Sequence, residues 1–277
     1  MSGFSADWLA LREPADMRAR NGELAAALSA RLGQRAHLDV VDLGSGTGSN
    51  LRGTAPLLGQ SQAWTLVDYD PRLLEAARGA LAGWADTSRV VGDRLELTKD
   101  GRRITVAFRQ ADLARDLAAG LGEGADLVTA SALFDLASPA FIRGFAGEVA
   151  QRRAVFYTVL TYNGIQRWTP RHPADNQMVA AFHGHQMRDK GFGPSAGPTA
   201  PAHLADAFRL AGYSVAEGDS PWLLSSRDAA LVEELARGYL SAVRETGRID
   251  PATLAAWGKV ARIGAEVGHT DTLAMPA

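Results

Sequence analysis

The sequence predicts an α/β fold, one mainly parallel sheet with helices on both faces, and two observations carry that expectation. Short β-rich runs at residues 38–43, 64–68, 104–108, 126–130 and 154–161 alternate with alanine-rich helical stretches, the pattern of strands joined by crossover helices. The first run leads straight into Gly44-Ser45-Gly46-Thr47-Gly48, a strand-to-helix turn whose residues without a Cβ let a ligand approach the backbone.

Ahead of the first strand, residues 1–35 form a leader in which Glu13-Pro14 is a break and a helix is expected over 21–32, ended by Gly33. Asp70-Pro71 and Ser138-Pro139 each set a capping side chain before a proline, so helices are expected to start there. Lys99-Asp100-Gly101-Arg102 is the turn of an expected hairpin over 94–108, one strand of which is an accessory edge. Beyond Thr161 the chain turns to glycine, proline, histidine and aromatic residues as far as Pro201, with a helix over 175–189. An Ala/Leu helix to Leu210, a strand at 213–217, helices at 227–245 and 251–264 and a last strand at 269–275 follow. The expected organisation is a single domain over 1–277: leader 1–35, ligand-binding core 36–161, lid insertion 162–201 and C-terminal part 202–277.

Composition narrows the function. The 277 residues are 46% hydrophobic, enough for one large domain, yet no apolar run reaches the ~20 residues that span a bilayer. A cytoplasmic protein without membrane partners is expected. The absence of cysteine excludes disulfides, thiolate metal sites and cysteine nucleophiles. A net charge of −2 supplies no basic field to gather phosphate backbones, so nucleic acid is not an expected partner.

The acids around the glycine loop sharpen the reading. A dinucleotide fingerprint requires Gly-x-Gly-x-x-Gly/Ala, whereas here Gly48 comes one position early and Ser49 takes the third glycine's place. Asp42, two residues before the loop, would repel phosphate but suits a ligand whose near end carries an ammonium group. Asp68 ends the second strand, where a carboxylate can grip both hydroxyls of a ribose. Asp112 ends the third parallel strand, placed to accept from an adenine amino group.

On these residues the chain resembles the class I S-adenosylmethionine-dependent methyltransferases. Asp42 to Gly48 match the family's first motif, Asp68 its second-strand acid and Asp112 its adenine-side acid, and residues 126–135 match its fourth strand and the following turn. Over 36–161 the resemblance implies a Rossmann-like seven-stranded sheet with a reversed final strand, here with a lid after the fifth strand and extra helices before the last. It implies S-adenosylmethionine as cofactor, held by Asp42, Gly44, Ser45, Gly46, Thr47, Gly48, Asn50, Asp68, Tyr69, Asp112, Leu113 and Ser131. From the leader, Trp8, Arg12, Glu13 and Arg18 are candidates to fold over it, with Arg18 assigned to the methionine carboxylate.

Methyl transfer is an in-line displacement that needs alignment and exclusion of water more than a nucleophilic side chain. Ser131-Ala132-Leu133-Phe134 replaces the Asn/Asp-Pro-Pro-aromatic of enzymes that methylate exocyclic base amines. A small-molecule acceptor with a nitrogen or oxygen nucleophile is therefore expected, with Phe134, Tyr157, Tyr162, Asn163 and Gln186 against it and His183 or Asp135 exchanging its proton. No metal is expected, because His183 and His185 point to different sides of a helix. The competing readings are a methyltransferase of protein or nucleic acid, and a cofactor-binding protein without catalysis.

Overall fold

β1 (Leu38–Leu43) is apolar along nearly its whole length and sinks into the centre of the sheet, pairing in parallel with β2 (Ser61–Asp68) on one side and β6 (Leu127–Ser131) on the other. The computed structural model describes residues 4–277, and among them ten strands make one sheet. The others are β3 (Thr87–Val91), β4 (Arg94–Lys99), β5 (Arg102–Gln110), β7 (Val155–Thr169), β8 (Tyr213–Asp219), β9 (Trp222–Leu224) and β10 (Gly264–Pro276). The order is β3-β4-β5-β2-β1-β6-β7-β10-β8, with β9 also paired to β10. From β5 to β8 this is the expected seven-stranded path, and β10 is its reversed strand, antiparallel to both β7 and β8.

One face is covered by α2 (Gly22–Leu32), α4 (Pro71–Trp84), α7 (Asp175–Gln186), α9 (Ala229–Glu245) and α10 (Pro251–Gly258). On the other lie α5 (Leu117–Leu121), α6 (Pro139–Arg152) and α8 (Ala200–Leu210). Asp70 and Ser138 accept from the backbone N–H groups of Arg72 and Phe141, capping α4 and α6 as their Asp-Pro and Ser-Pro pairs foretell. Under α6 and α8, Phe134, Phe145, Phe156 and Phe208 interlock, with Phe156 stacked on Phe208 at 4.5 Å. Truncating one such ring costs ~3–5 kcal/mol.

Several boundaries differ from expectation. Pro14 does not break the leader: α1 (Ala6–Ala19) runs through it. The lost hydrogen bond is offset by a two-pronged Arg12 to Asp16 ion pair at 2.9 and 3.0 Å, which spans the proline turn, and by burial of Ala15 and Asp16. The first part of the expected lid is strand, because β7 continues to Thr169 against a β10 that starts at Gly264. A register shift opposite Val267 and His269 lets β7 run on through Gly164, which stands at φ 97°. β3 gave no strand signal because every one of its residues is exposed.

β7 and β10 are joined to the leader through one carboxylate. Asp271, fully buried, accepts from the backbone N–H of Leu160 at 2.8 Å, from that of Asn21 at 2.9 Å and from the Ser220 hydroxyl. Leu160 stands at φ 60°, a conformation costly for a residue with a Cβ, and Asn21 caps α2. Asp271→Ala orphans these donors and should lower the unfolding free energy by about 3 kcal/mol. An unchanged urea midpoint with an unchanged slope would refute that role.

Candidate functional site

The connections leaving β1 and β6 depart to opposite faces of the sheet, so a crevice opens beyond their carboxyl ends. It holds a cavity of about 1410 Å³, larger than the ~300–1,000 Å³ of an ordinary small-molecule pocket. Two ligands, or one long one, fit such a space.

At one end the glycine loop supplies the floor. Gly44, Gly46 and Gly48 have φ of 60°, 52° and 75°, where a side chain is strained. A Cβ on Gly46 would also stand 2.9 Å from Leu9 of α1, which closes over the loop. Ser45 N–H bonds the Val67 carbonyl and Gly46 N–H donates to Asp68 Oδ2 at 2.8 Å. Asp68 Oδ1 accepts from Asp70 N–H at 2.9 Å. Each oxygen thus keeps a lone pair, and the side chain lines the cavity. Burial pushes its carboxyl above the usual carboxylate range, against the bonds from Asp70 and Gly46. Ser45, Thr47, Asn50, Tyr69, Asp112, Leu113 and Ser131 share this wall. Asp112 is held by Ala114 N–H at 3.1 Å and by Arg115.

Asp42 and Gly48 do not reach the cavity. Gly48 caps α3 (Ser49–Thr54), and Asp42 is fully buried behind Asn50, whose amide nitrogen donates to it at 2.7 Å and to Thr129 at 3.0 Å. Asn50 Oδ1 in turn accepts from Arg20 at 2.9 Å, and Gly53 leaves the room in which the Arg20 guanidinium sits. Arg18 turns away to pair with Asp228, and the leader's cavity-facing arginine is Arg12. Sequence reasoning missed Arg20, although Arg12, Asp16 and Arg20 recur at the four-residue spacing of one helix face.

The other end is walled by side chains from β7, β9, β10, α7 and α9, Tyr162, Phe182, Trp222, Tyr239 and His269 among them, while Leu133, in the turn after β6, lies against Gly44. Asp135, Gln166 and Gln186 bring polar atoms to it. Asp135 Oδ1, Gln166 Nε2 and His269 Nδ1 are buried without a hydrogen-bond partner. Burial pushes the Asp135 carboxyl up to about 6, with Arg12 pulling the other way. Burial pulls His269 down to about 3, Arg12 adding to the effect, so its imidazole is neutral.

The remaining sequence candidates lie off the wall. Phe134 is locked in the phenylalanine cluster, Tyr157 is fully buried inside the sheet, and Asn163 bonds Thr270 at 3.2 Å. His183 stands behind Tyr162, its Nε2 at 3.1 Å from both the Tyr162 hydroxyl and the Gly164 carbonyl. Burial lowers its pKa. His185, by contrast, lines the cavity and pairs with Glu245. Trp222, Gln166, Tyr239 and His269 were not singled out in the sequence. Only the β7 alternation from Tyr162 to Gln166 to Trp168 could have flagged one of them.

The buried Asp42 has a measurable consequence. Burial raises its carboxyl from 3.8 to about 7, opposed by Asn50 and Arg20 and aided by the charge on Asp68. The folded chain therefore keeps a proton there that the unfolded chain has released, so this group's stabilisation is complete below about pH 4, falls as pH rises to about 7, and is level above. Replacing it with a group that does not titrate, Asp42→Asn, should remove a slope of at most ~1.4 kcal/mol per pH unit. Urea unfolding of both proteins from pH 5 to 8 measures it, and parallel curves would contradict it.

No protein-family model matches the chain, and no curated protein matches its sequence. Solved structures do match in shape. A cyclopropane-fatty-acyl-phospholipid synthase-like protein from Lactobacillus casei superposes with a TM-score of 0.56 at 14% identity, over 98% of this chain and 94% of that one. A cyclopropane synthase from Mycobacterium tuberculosis gives 0.52 at 12% identity, over 98% and 94%. A protein assigned as a methyltransferase from Bacillus halodurans gives 0.51 at 12% identity, over 92% and 100%. With the strand order and the loop after β1, these likenesses establish that the chain has the Rossmann-like fold of the class I S-adenosylmethionine-dependent methyltransferases.

Proposed function

We propose that the protein is an S-adenosylmethionine-dependent methyltransferase acting on a small molecule through a nitrogen or oxygen nucleophile. The observation that carries this reading is Asp68, a carboxylate at the end of β2 that is fixed by two backbone donors and faces a cavity roomy enough for cofactor and acceptor together. Its free lone pairs suit the two hydroxyls of a ribose. Asp112 and Leu113 are placed for the adenine, and the Ser45 to Thr47 backbone for the amino-acid part. Arg18 is turned to Asp228 and Arg12 is held by Asp16, so the methionine carboxylate is left to the backbone N–H groups of the loop. Asp42 acts through Asn50, which it orients.

S-adenosylmethionine supplies a methyl group on a positively charged sulfur, so the protein need provide only alignment and a dry path. α1 does part of this work. Leu9 seals the glycine loop, while Glu13 ties α1 to Arg52 of α3 at 2.7 Å and Arg12 stacks on Trp222 at 4.9 Å. The expected lid contributes α7 and the bend after it, with Phe182, Gln186, Asp189 and Phe192 on the cavity wall. The Tyr162 hydroxyl, steadied by His183, can orient an incoming nucleophile.

Calorimetry tests the reading: S-adenosylmethionine should bind at micromolar concentration and NAD should not. Asp68→Ala should weaken the cofactor about tenfold to a hundredfold, the equivalent of ~1.5–3 kcal/mol from hydrogen bonds to a charged group. Asp68→Asn, which keeps one acceptor, should fall between. NAD binding without S-adenosylmethionine binding would reject the function, and an unchanged affinity in a folded Asp68→Ala would reject the residue's role.

A further inference from the structure

We propose that the methyl acceptor is an amine carried on an apolar, ring-bearing body, with its nitrogen seated against Asp135. The inference rests on the methyltransferase reading and narrows it to a substrate class.

The far end of the cavity has two properties. Its walls are apolar and largely aromatic, from Leu160, Tyr162, Phe182, Trp222 and Tyr239, and so fit an apolar body better than a sugar or a phosphate. Its charges do not cancel. Arg12 and Asp16 satisfy each other at 2.9 and 3.0 Å, and Asp16 also takes the Trp222 indole N–H at 3.0 Å. His269 is neutral, and His183 is behind Tyr162. Lys190 also lines the cavity, but its charged neighbours are Arg188 and Glu245. Of the other acids on the wall, Glu234 pairs with Arg237, and Asp189 is exposed and accepts from the N–H groups of Gly191 and Gly193. Asp135 is left over, 9% exposed, with Oδ1 unpartnered and with Arg12, itself held by Asp16, offsetting only part of the cost of its burial.

An unpaired carboxylate in a low-dielectric wall is costly unless a ligand brings the matching charge. An ammonium group does so, and gains in addition from the faces of the surrounding aromatic rings. A neutral hydroxyl could donate to Asp135 but would leave the charge uncompensated, and an acid would be repelled.

The chemistry needs the same residue. An ammonium nitrogen has no lone pair, so Asp135 first takes one of its protons. The freed pair then forms the N–C bond to the methyl carbon as the C–S bond breaks, its electrons staying on sulfur as a neutral thioether. The product leaves as a methylated ammonium ion, and the proton on Asp135 passes to water. The raised affinity of Asp135 for protons brings it nearer to an amine than an exposed carboxylate would be.

The test uses the full chain with S-adenosylhomocysteine bound. Cyclohexyl, phenyl and naphthyl alkylamines, the corresponding alcohols and the corresponding carboxylic acids are titrated by calorimetry and then offered with S-adenosylmethionine. Amines of this set should bind and accept methyl groups, alcohols and acids should do neither, and Asp135→Asn should weaken amine binding about tenfold to a hundredfold while changing cofactor affinity less than about threefold. In the wild type kcat/KM should rise with pH along a limb near 6 that Asp135→Asn lacks. Alcohols preferred over amines, or Asp135→Asn weakening the cofactor and sparing the amine, would overturn the proposal with the methyltransferase reading intact. Failure of S-adenosylhomocysteine itself to bind would instead strike that reading. If Asp135→Asn does not fold, the amine-against-alcohol comparison in the wild type decides.

Discussion

The position of β1 between β2 and β6 is the constraint from which the site follows. A strand whose neighbours were both reached by crossovers on one side would have its carboxyl end covered by its own connections. Here the connections diverge, and the gap at the end of β1 must be filled by something other than the sheet. Gly44 and Gly46, both with positive φ, keep that gap open by leaving out side chains that would point toward Leu133 and Leu9. The Gly46 to Asp68 hydrogen bond then fixes how far the loop stands from β2. One contact thereby sets both the floor of the crevice and the aim of its principal acid.

What closes the crevice is the leader, held both by apolar burial of Ala15, Leu24, Leu28 and Leu32 and by polar contacts. Glu13 to Arg52 and Arg20 to Asn50 and Thr54 tie it to α3, and Arg18 ties it to Asp228 ahead of α9. A partly exposed pair such as Arg18 with Asp228 contributes little singly, but Arg20 is different because it sits beside Asp42. Its guanidinium offsets part of the cost of that buried carboxyl, so the leader's end and the foundation of the glycine loop share one polar network. Loosening the leader would therefore be felt at the loop, and changes in the loop's occupancy would be felt by the leader.

The sequence exposed the half of the site that depends on backbone geometry. Gly44, Gly46 and Asp68, which line the cavity, stood out because a strand end and a positive φ each demand particular residue types at fixed spacing, whereas Asp42 and Gly48, expected to touch the ligand, lie behind the wall. The second half could not be read in that way. Trp222, Tyr239 and His269 come from elements far apart in the chain, and each has an ordinary core or surface residue's local pattern until the sheet brings them together. Phe134 and Tyr157 failed for the complementary reason: they lie in strands and turns beside the ligand edge, but their side chains alternate to the opposite face or into the sheet. Pro14 misled because the Arg12 to Asp16 ion pair and burial of the turn beside it outweighed local preference, and the lid boundary at 162 misled because a β-bulge carries β7 on past Gly164.

The two ends of the cavity also differ in how they would treat charge. At the glycine-loop end Asp68 is braced by the N–H groups of Gly46 and Asp70, which oppose the effect of burial on its charge before any ligand arrives. At the far end Asp135 has no such bracing beyond its own backbone N–H, and its ionisation depends on what enters. A site arranged this way holds one ligand firmly through groups that are already satisfied and selects the other through a group that is not. Discrimination is strongest where the protein's own hydrogen bonds are incomplete, because a wrong ligand leaves the deficit in place and the right one removes it. For a cavity otherwise lined by aromatic and aliphatic side chains, which distinguish poorly among apolar bodies, the unmatched charge of Asp135, beside the unpartnered Gln166 Nε2 and His269 Nδ1, separates one acceptor from another more steeply than the apolar walls do.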